Sequence, residues 1–425
     1  MKKKTWIVSA AAIAALIAGI LCFAWIDLPP EAEYSVSPGQ GQSLRVTLKV
    51  KASLFGKPGK AVFYTLDGTD TIEFSLRRGR AARLEYDAPL GQMGKHGHRG
   101  GITEKYLVFD GGQAFLQPAG DLRRIRLAFD IHQSWIEIAP CRDIKNPGWM
   151  DIYCLMQNAF AFGEFQLLDS FEGVSVYALD DSMDSIRELC TYYSGLFCSP
   201  PEAYSVVLLP PEDDIVGGAG RPCVAASFDT QALRDWQLLS HRMFHAFFDM
   251  RAADPAWYAP PNLWLVEGLA TYYENMSMAA LQKGDPEQLL AVIYAQYLYM
   301  RGKYPDAFVF APMREAELSG AQREFLHYTA APLLAAAFED ASLRAGNTPD
   351  ALLRFCLEAD PPPESPLVFS AAAALLGEEG EDFYRTYCLQ AGIPPLTRLE
   401  AGMPEGEALA DALEYIERVM ASWAD

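Results

Sequence analysis

Two histidines one helical turn apart are the residues in this sequence best suited to chemistry. His241 and His245 stand at i and i+4 in the run Ser240-His241-Arg242-Met243-Phe244-His245. On a helix such a pair shares one face, and both imidazoles reach a single tetrahedral zinc. The same spacing fits a plainer reading, in which two histidines fill a helix face. A second helical stretch follows Pro260-Pro261, with Asn262 as its cap, and runs from Leu263 through Glu274. Glu267 and Glu274 lie two turns apart on one side of it. A carboxylate among Leu, Trp, Val and Tyr costs free energy to bury unless it meets a partner. Glu274 is therefore either a group that accepts a hydrogen bond from a ligand histidine and fixes its tautomer, or a solvated surface glutamate.

The first of these helices is expected from a cap at Asp229 or Thr230 to about Arg251. Around it the chain is long enough, at 425 residues, for two or three domains. Residues 44–145 alternate in short segments: Leu44–Val50, Ala61–Leu66, Thr71–Leu76, Tyr106–Phe109, Ala114–Gln117, Ile125–Ile131 and Trp135–Ile138. Turn residues separate them, which predicts an all-β domain. From about 146 to 279 helical patterns enclose one strong strand, Ser205–Leu209, ending at Pro210-Pro211. From 280 to 425 helices dominate, and Glu405–Ala424 has the helical period. The expected class is α+β, with an N-terminal membrane helix, an all-β domain, a mixed domain and a helical C-terminal part.

Lys2, Lys3 and Lys4 precede an uncharged run from Thr5 to Ile26. That run is long enough for a helix to cross the roughly 30 Å hydrocarbon layer, and the lysines favour the cytoplasmic side. Residues 1–26 thus predict a signal-anchor and 27–43, with Pro29, Pro30 and Pro38, a linker. The rest would stand outside a cell membrane, or be secreted if the segment is a cleaved signal peptide. A net charge of −20 disfavours nucleic acid as a partner, because phosphate needs a basic face. Beyond Cys22 in the apolar run there are Cys141, Cys154, Cys190, Cys198, Cys223, Cys356 and Cys388. Cys190 and Cys198 could pair in an oxidising compartment, or all could be small buried apolar residues.

Several stretches resemble the glycyl aminopeptidase family, relatives of aminopeptidase N within the gluzincin zinc metallopeptidases, whose catalytic domain is thermolysin-like. The family carries Trp-x-x-Glu-Gly-x-x-x-Tyr-Tyr-Glu after its zinc helix, and Trp264 to Glu274 is nearly that motif. Leu196-Phe197, Pro200-Pro201 and the strand Tyr204–Pro210 are similar to its approach to the active-site edge strand. Gly217, Gly218 and Cys223–Phe228 stand where it has a substrate-pairing strand, and His327-Tyr328 with Leu333–Asp340 resembles its tyrosine helix. Asp382-Phe383 through Ile393-Pro394 is similar to the end of its helical region. These pieces are collinear from about 44 to 395.

The resemblance implies a mixed thermolysin-like domain over 146–279. It implies zinc held by His241, His245 and Glu267, with Glu274 behind a ligand histidine. It implies a substrate peptide along Gly217 and Gly218, and Tyr328, or less directly His327, donating to an oxyanion. The departures are equally specific. The family zinc helix reads His-Glu-x-x-His, and Arg242 replaces that glutamate. The glutamate is the general base, whereas arginine is always charged and accepts no proton. Asp249, two turns on from His241, is a nearby carboxylate on the same helix. The family's Gly-Gly-Leu-Glu-His reads Gly217-Gly218-Ala219-Gly220-Arg221, without the glutamate that recognises a substrate amine, and Ala330-Ala331 follow the tyrosine in place of lysine and glycine. Three functions stay open: a membrane-anchored, extracytoplasmic, peptidase-deficient protein that binds peptide or protein segments, an active zinc peptidase with altered acid–base groups, and a metal-free structural or interaction module.

Overall fold

Alternation along the early strands translates directly into a sheet with one buried face. Ala32, Tyr34 and Val36 of β1 (Glu31–Pro38) point into the core with Leu44, Val46, Leu48 and Val50 of β2 (Ser43–Lys51). Their polar neighbours turn outward, as a period of two requires. The structure is a computed structural model. It describes residues 28–421 except 53–58, 93–97, 181–185, 202, 219–221, 253, 304–310, 319, 360–365, 391, 393 and 395. The signal-anchor expected for 1–26 lies outside the described residues. Among the described residues no helix is long and apolar enough to cross a membrane.

The chain forms two units, each with its own internal contacts. The first comprises residues 1–167, 177–181 and 205–227. The stretch 27–43, expected as a linker, holds β1, because its alternating apolar residues complete a sheet face. β1 and β2 pair antiparallel in full register, and β5 (Ala81–Pro89) extends β2. On its other edge β1 runs parallel to β8 (Arg124–Phe129), which pairs with β10 (Asp143–Lys145). β3 (Gly59–Tyr64) and β4 (Thr71–Leu76) make a separate hairpin. A second sheet has the order β6 (Gly101–Ile102), β7 (Tyr106–Asp110), β11 (Ala159–Gly163) and β9 (Ile136–Ile138). β7 and β11 are buried at every position.

The strand expected at Ala114–Gln117 is not formed. Asp110 and Gln113 build a capping box, which nucleates a one-turn helix, α1 (Gly111–Ala114), instead. A Cβ at Gly111 would stand 1.8 Å from the carbonyl oxygen of Leu155, so that turn packs flush on α2 (Trp149–Gln157). The first unit also takes in β14 (Tyr204–Leu209), parallel to β16 (Cys223–Ser227), with β15 (Val216–Gly217) antiparallel beside β16.

The second unit comprises 168–176, 182–204 and 228–425. It holds most of the hairpin of β12 (Gln166–Phe171) and β13 (Val174–Ala178), whose two-residue turn puts Glu172 and Gly173 at positive φ. Helices then dominate: α3 (Arg187–Leu196), α4 (Leu233–Arg251), α5 (Leu263–Ala280) and α6 (Pro286–Lys303). α7 (Gly320–Phe325) leads through a π-helical turn, Leu326–Ala330, into α8 (Ala331–Arg344). After it come α9 (Ala351–Glu358), α10 (Leu367–Leu376), α11 (Gly380–Phe383), α12 (Thr397–Glu400) and α13 (Gly406–Ala421). The amide of Gln296 on α6 donates to the Ala412 carbonyl on α13.

Cys190 and Cys198 are both free thiols. Cys190 is buried on α3 with its sulfur 4.0 Å from that of Met243, while Cys198 is exposed just past the helix end. The other five described cysteines are also free.

Candidate metal centre

The site is built from the helical unit. α4 starts at Leu233, after Ala232, and not at Asp229 or Thr230. The Asp229 carboxylate accepts instead from the Gln231 amide, and its own amide donates to Asp235, so these residues form the turn that precedes the helix. One face of α4 is aromatic. Phe244 stacks on Tyr273 of α5 with ring centroids 5.7 Å apart, and Phe247 meets Tyr193 of α3 at 5.8 Å. Behind His241, the Tyr193 hydroxyl, Ser240 Oγ and Ser277 Oγ are linked at 2.7 Å each, and Ser277 donates to the Glu274 carbonyl. This buried chain ties α3, α4 and α5 in one register, because each unmade bond there would leave a costly unsatisfied group.

α5 follows Asn262 as expected, but the Asn262 side chain does not cap it. Its Oδ1 accepts from the Leu367 amide, and its Nδ2 donates to the Ala256 carbonyl. The capping is done by Glu315, whose Oε2 accepts from the Trp264 amide at 3.3 Å. A buried carboxylate at a helix N-terminus satisfies a free N–H and the helix dipole together. Glu315 Oε1 also meets His327 Nε2 at 2.6 Å, and both side chains are buried. Further along α5, a Cβ at Gly268 would fall 2.5 Å from Cβ of Ala331. Only glycine lets α5 and the start of α8 approach this closely.

These contacts bring His241, His245, Glu267, Glu274 and Tyr328 together. His241 Nε2 and His245 Nε2 are 3.1 Å apart, and Glu267 Oε2 lies 3.4 Å from the first and 3.3 Å from the second. Ligands 2.0–2.1 Å from a tetrahedral zinc stand about 3.3 Å from one another. The three atoms therefore make one face of such a tetrahedron and leave its fourth corner free. Glu267 Oε2 is buried and has no hydrogen-bond partner among the described residues. A cation at the centre of the triangle would satisfy it. His241 Nδ1 bonds Glu274 Oε2 at 2.9 Å, which turns the Nε2 lone pair toward the triangle. The donor set fits zinc, with an open position and one carboxylate behind a ligand.

The charges follow from this packing. Burial pulls the His241 pKa down, but Glu267 and Glu274 outweigh it and push it up to about 9. Burial pushes the Glu267 carboxyl up, yet the His245 and His241 imidazoles hold it well below the usual range. At Glu274 burial wins over His241, and the carboxyl is raised. In the metal-free cluster a proton thus sits on His241 between two carboxylates, and metal binding would release it.

Tyr328 lies in the π-helical turn, with its ring 5.8 Å from that of His241 and 46% of its surface exposed. The charge of Glu267 holds its pKa well above the ordinary tyrosine value, while Arg242 acts the other way. Arg242 is only 6% exposed and stands three positions before His245, on the same side of α4. Asp249, further along α4, is fully buried.

Gly217 and Gly218 are described within the first unit. Gly217 pairs with Ala225 across β15 and β16. Gly218 has φ of +73°, and a Cβ there would lie 2.6 Å from the Ala159 nitrogen and the Cys223 oxygen, so glycine is required by the backbone. Residues 219–221 lie outside the described residues.

Glu315, Gly268 and the Tyr193–Ser240–Ser277 chain were not legible as site residues. Glu315 is far from α5 in sequence and matches no spacing rule.

No protein-family model and no curated protein matches the sequence. Solved structures do match. The M1 zinc metallopeptidase from Deinococcus radiodurans aligns over 87% of this chain and 95% of its own, at 15% identity and a TM-score of 0.50. A glutamate-to-alanine mutant of an M1 zinc metallopeptidase from the same organism, bound to a Tyr-Ser-Ala substrate, aligns with the same coverage, identity and TM-score. The chain thus has the mixed α and β fold of the M1 zinc metallopeptidases and gathers a His-His-Glu group within it.

Proposed function

We propose that this chain is a zinc-binding protein of the M1 metallopeptidase fold that has lost peptide hydrolysis and holds peptide or protein segments beside the metal. The carrying observation is the contrast within one helical turn. His241 and His245 converge with Glu267 in zinc geometry, while the residue between them that would have to take a proton from water is the buried Arg242. Zinc, when bound, would supply a Lewis acid at the open corner of the donor triangle. A guanidinium accepts no proton, and loss of a general base costs about two to four orders of magnitude in rate. A protein of the same fold in complex with Tyr-Ser-Ala supports a peptide as the ligand class. Lys2–Lys4 and the uncharged run Thr5–Ile26 support a membrane anchor with the rest of the chain outside the cytoplasm.

The test is metal analysis of the full chain, purified in detergent without chelator, beside His245→Ala. About one zinc per chain is expected for a His₂Glu centre, with none in the variant and no peptide cleavage by either. Chelator-sensitive cleavage by the wild type would sink this reading and favour an active peptidase with altered acid–base groups. A metal-free module is favoured by one observation: His241 lies between Glu274 at 2.9 Å and Glu267 at 3.4 Å. On that reading the proton on His241 offsets part of the carboxylate charge without an ion. This alternative predicts no zinc in either protein, even after zinc is added.

A further inference from the structure

Two contacts join the helix that carries Glu267 to the turn that carries Tyr328, and they bracket both residues. The first is the buried carboxylate of Glu315, in a short 3₁₀ helix, Pro312–Glu317. Its Oε2 accepts from the Trp264 amide in the first turn of α5, and its Oε1 meets His327 Nε2 at 2.6 Å. The second is the close approach of Gly268 to Ala331, where a Cβ on the glycine would stand 2.5 Å from the alanine Cβ. On α5 these contacts fall at Trp264 and Gly268, on either side of Glu267. On the facing segment they fall at His327 and Ala331, on either side of Tyr328. The π-helical turn sends two successive side chains to opposite environments: His327 is buried and Tyr328 is exposed. The Tyr328 ring then stands 5.8 Å from that of His241.

We propose that Glu315 is a positioning residue for the metal centre: through Trp264 and His327 it fixes Glu267 and Tyr328 against each other. The proposal rests on the zinc-binding reading above. A fully buried carboxylate is a costly choice for stability alone, because each oxygen needs a partner and apolar groups of similar volume often stabilise as well or better. Glu315 finds both partners, but in two segments remote in sequence, so what it supplies is a fixed separation between them. The packing of Gly268 on Ala331 limits how closely α5 and α8 approach, and it does nothing to stop them parting. The two bonds of Glu315 resist that parting. Glu267 thereby stays one turn inside a capped helix, and Tyr328 stays on a turn that cannot drift from it.

The test compares Glu315→Met, Glu315→Gln and His327→Phe in the full chain, with Asp110→Ala in the other unit as a control for lost stability. Backbone hydrogen exchange is read first, on metal-free protein. Glu315→Met should speed exchange about tenfold or more in both 263–267 and 326–331, and leave the rest of α5 and α8 protected. Glu315→Gln, which keeps an oxygen for the Trp264 amide and an amide facing His327, should retain most of the protection. His327→Phe should speed 326–331 alone, and it carries the test if Glu315→Met fails to fold. Cobalt(II) is then added, and its visible absorption reports the coordination geometry. Glu315→Met should alter that band and weaken cobalt binding about tenfold, whereas Glu315→Gln and Asp110→Ala should do neither. Exchange that rises in only one of the two segments with Glu315→Met, or evenly through the helical unit, overturns the proposal. So does an unchanged cobalt band in Glu315→Met, or loosening of 263–267 by His327→Phe. Failure of the wild type to bind cobalt sinks the metal reading alone, because the exchange pattern is read without metal.

Discussion

Two histidine–carboxylate pairs in this molecule, one buried and one part-buried, look alike in isolation and are used differently. In the β-rich unit, His98 Nδ1 meets Asp110 Oδ2 at 2.6 Å. In the helical unit, His241 Nδ1 meets Glu274 Oε2 at 2.9 Å. The Asp110 carboxylate is also a helix cap: its other oxygen accepts from the Gln113 amide at 3.0 Å, and Gln113 Nε2 donates to the His98 carbonyl at 3.0 Å. That pair closes on the backbone beside it. Glu274 has no such cap to make, and the imidazole it orients presents Nε2 to His245 and Glu267. His327 and Glu315 follow the first pattern, since Glu315 also caps α5. A buried histidine with a carboxylate is therefore not a site by itself. Convergence of further donors on the free nitrogen makes it one.

The contrast can be attacked by substitution. The largest effect is expected from Arg242→Glu, which returns a proton acceptor to the donor triangle. Peptide hydrolysis should rise by about 10²–10⁴-fold over the wild type, measured with zinc-loaded protein, and no gain would mean that the site has drifted further than one residue. Next comes Asp110→Ala, which removes a cap and the carboxylate bound to His98 together. Denaturant unfolding should show a loss of about 2–4 kcal/mol, with zinc content unchanged. Were zinc lost as well, the two pairs would not be separable as described. Glu274→Gln should weaken zinc binding by about 10–100-fold while the unfolding midpoint of the metal-free protein barely moves. A large shift in that midpoint would make Glu274 a structural residue like Asp110. The smallest effect is expected from Tyr328→Phe. Its side chain is half-exposed, so stability should change by no more than about 0.5 kcal/mol.

Much of the centre is legible in the sequence because helical spacing is geometry. Residues at i and i+4, or at two turns, share a face wherever the helix is placed. The strands at Ser43–Lys51 and Thr71–Leu76 are legible for the same reason, since alternation with period two sets which side is buried. The errors have a common cause. Asn262 has the right type for a cap, but its side chain bonds Leu367 and Ala256, and Glu315 supplies the cap from another segment. Ala114–Gln117 has strand-like composition, but the capping box of Asp110 and Gln113 turns the backbone just before it, with Gly111 packed on Leu155. The prolines in 27–43 suggest a linker, whereas the alternating apolar residues there place β1 between β2 and β8.

By itself, then, the sequence determined the two imidazoles on one helix face, the two glutamates on the next helix and the arginine between the histidines. Each of these is a relation within one short segment, where covalent geometry and helical period leave little freedom. Only the tertiary structure decided that Nε2 of both histidines and Oε2 of Glu267 meet in a triangle of 3.1–3.4 Å. It also decided that Glu274 faces Nδ1, that Glu315 ends α5, and that Gly268 admits α8 with Tyr328 just before it. Those relations depend on packing between helices, which is set by burial of aromatic faces and by satisfaction of buried polar groups.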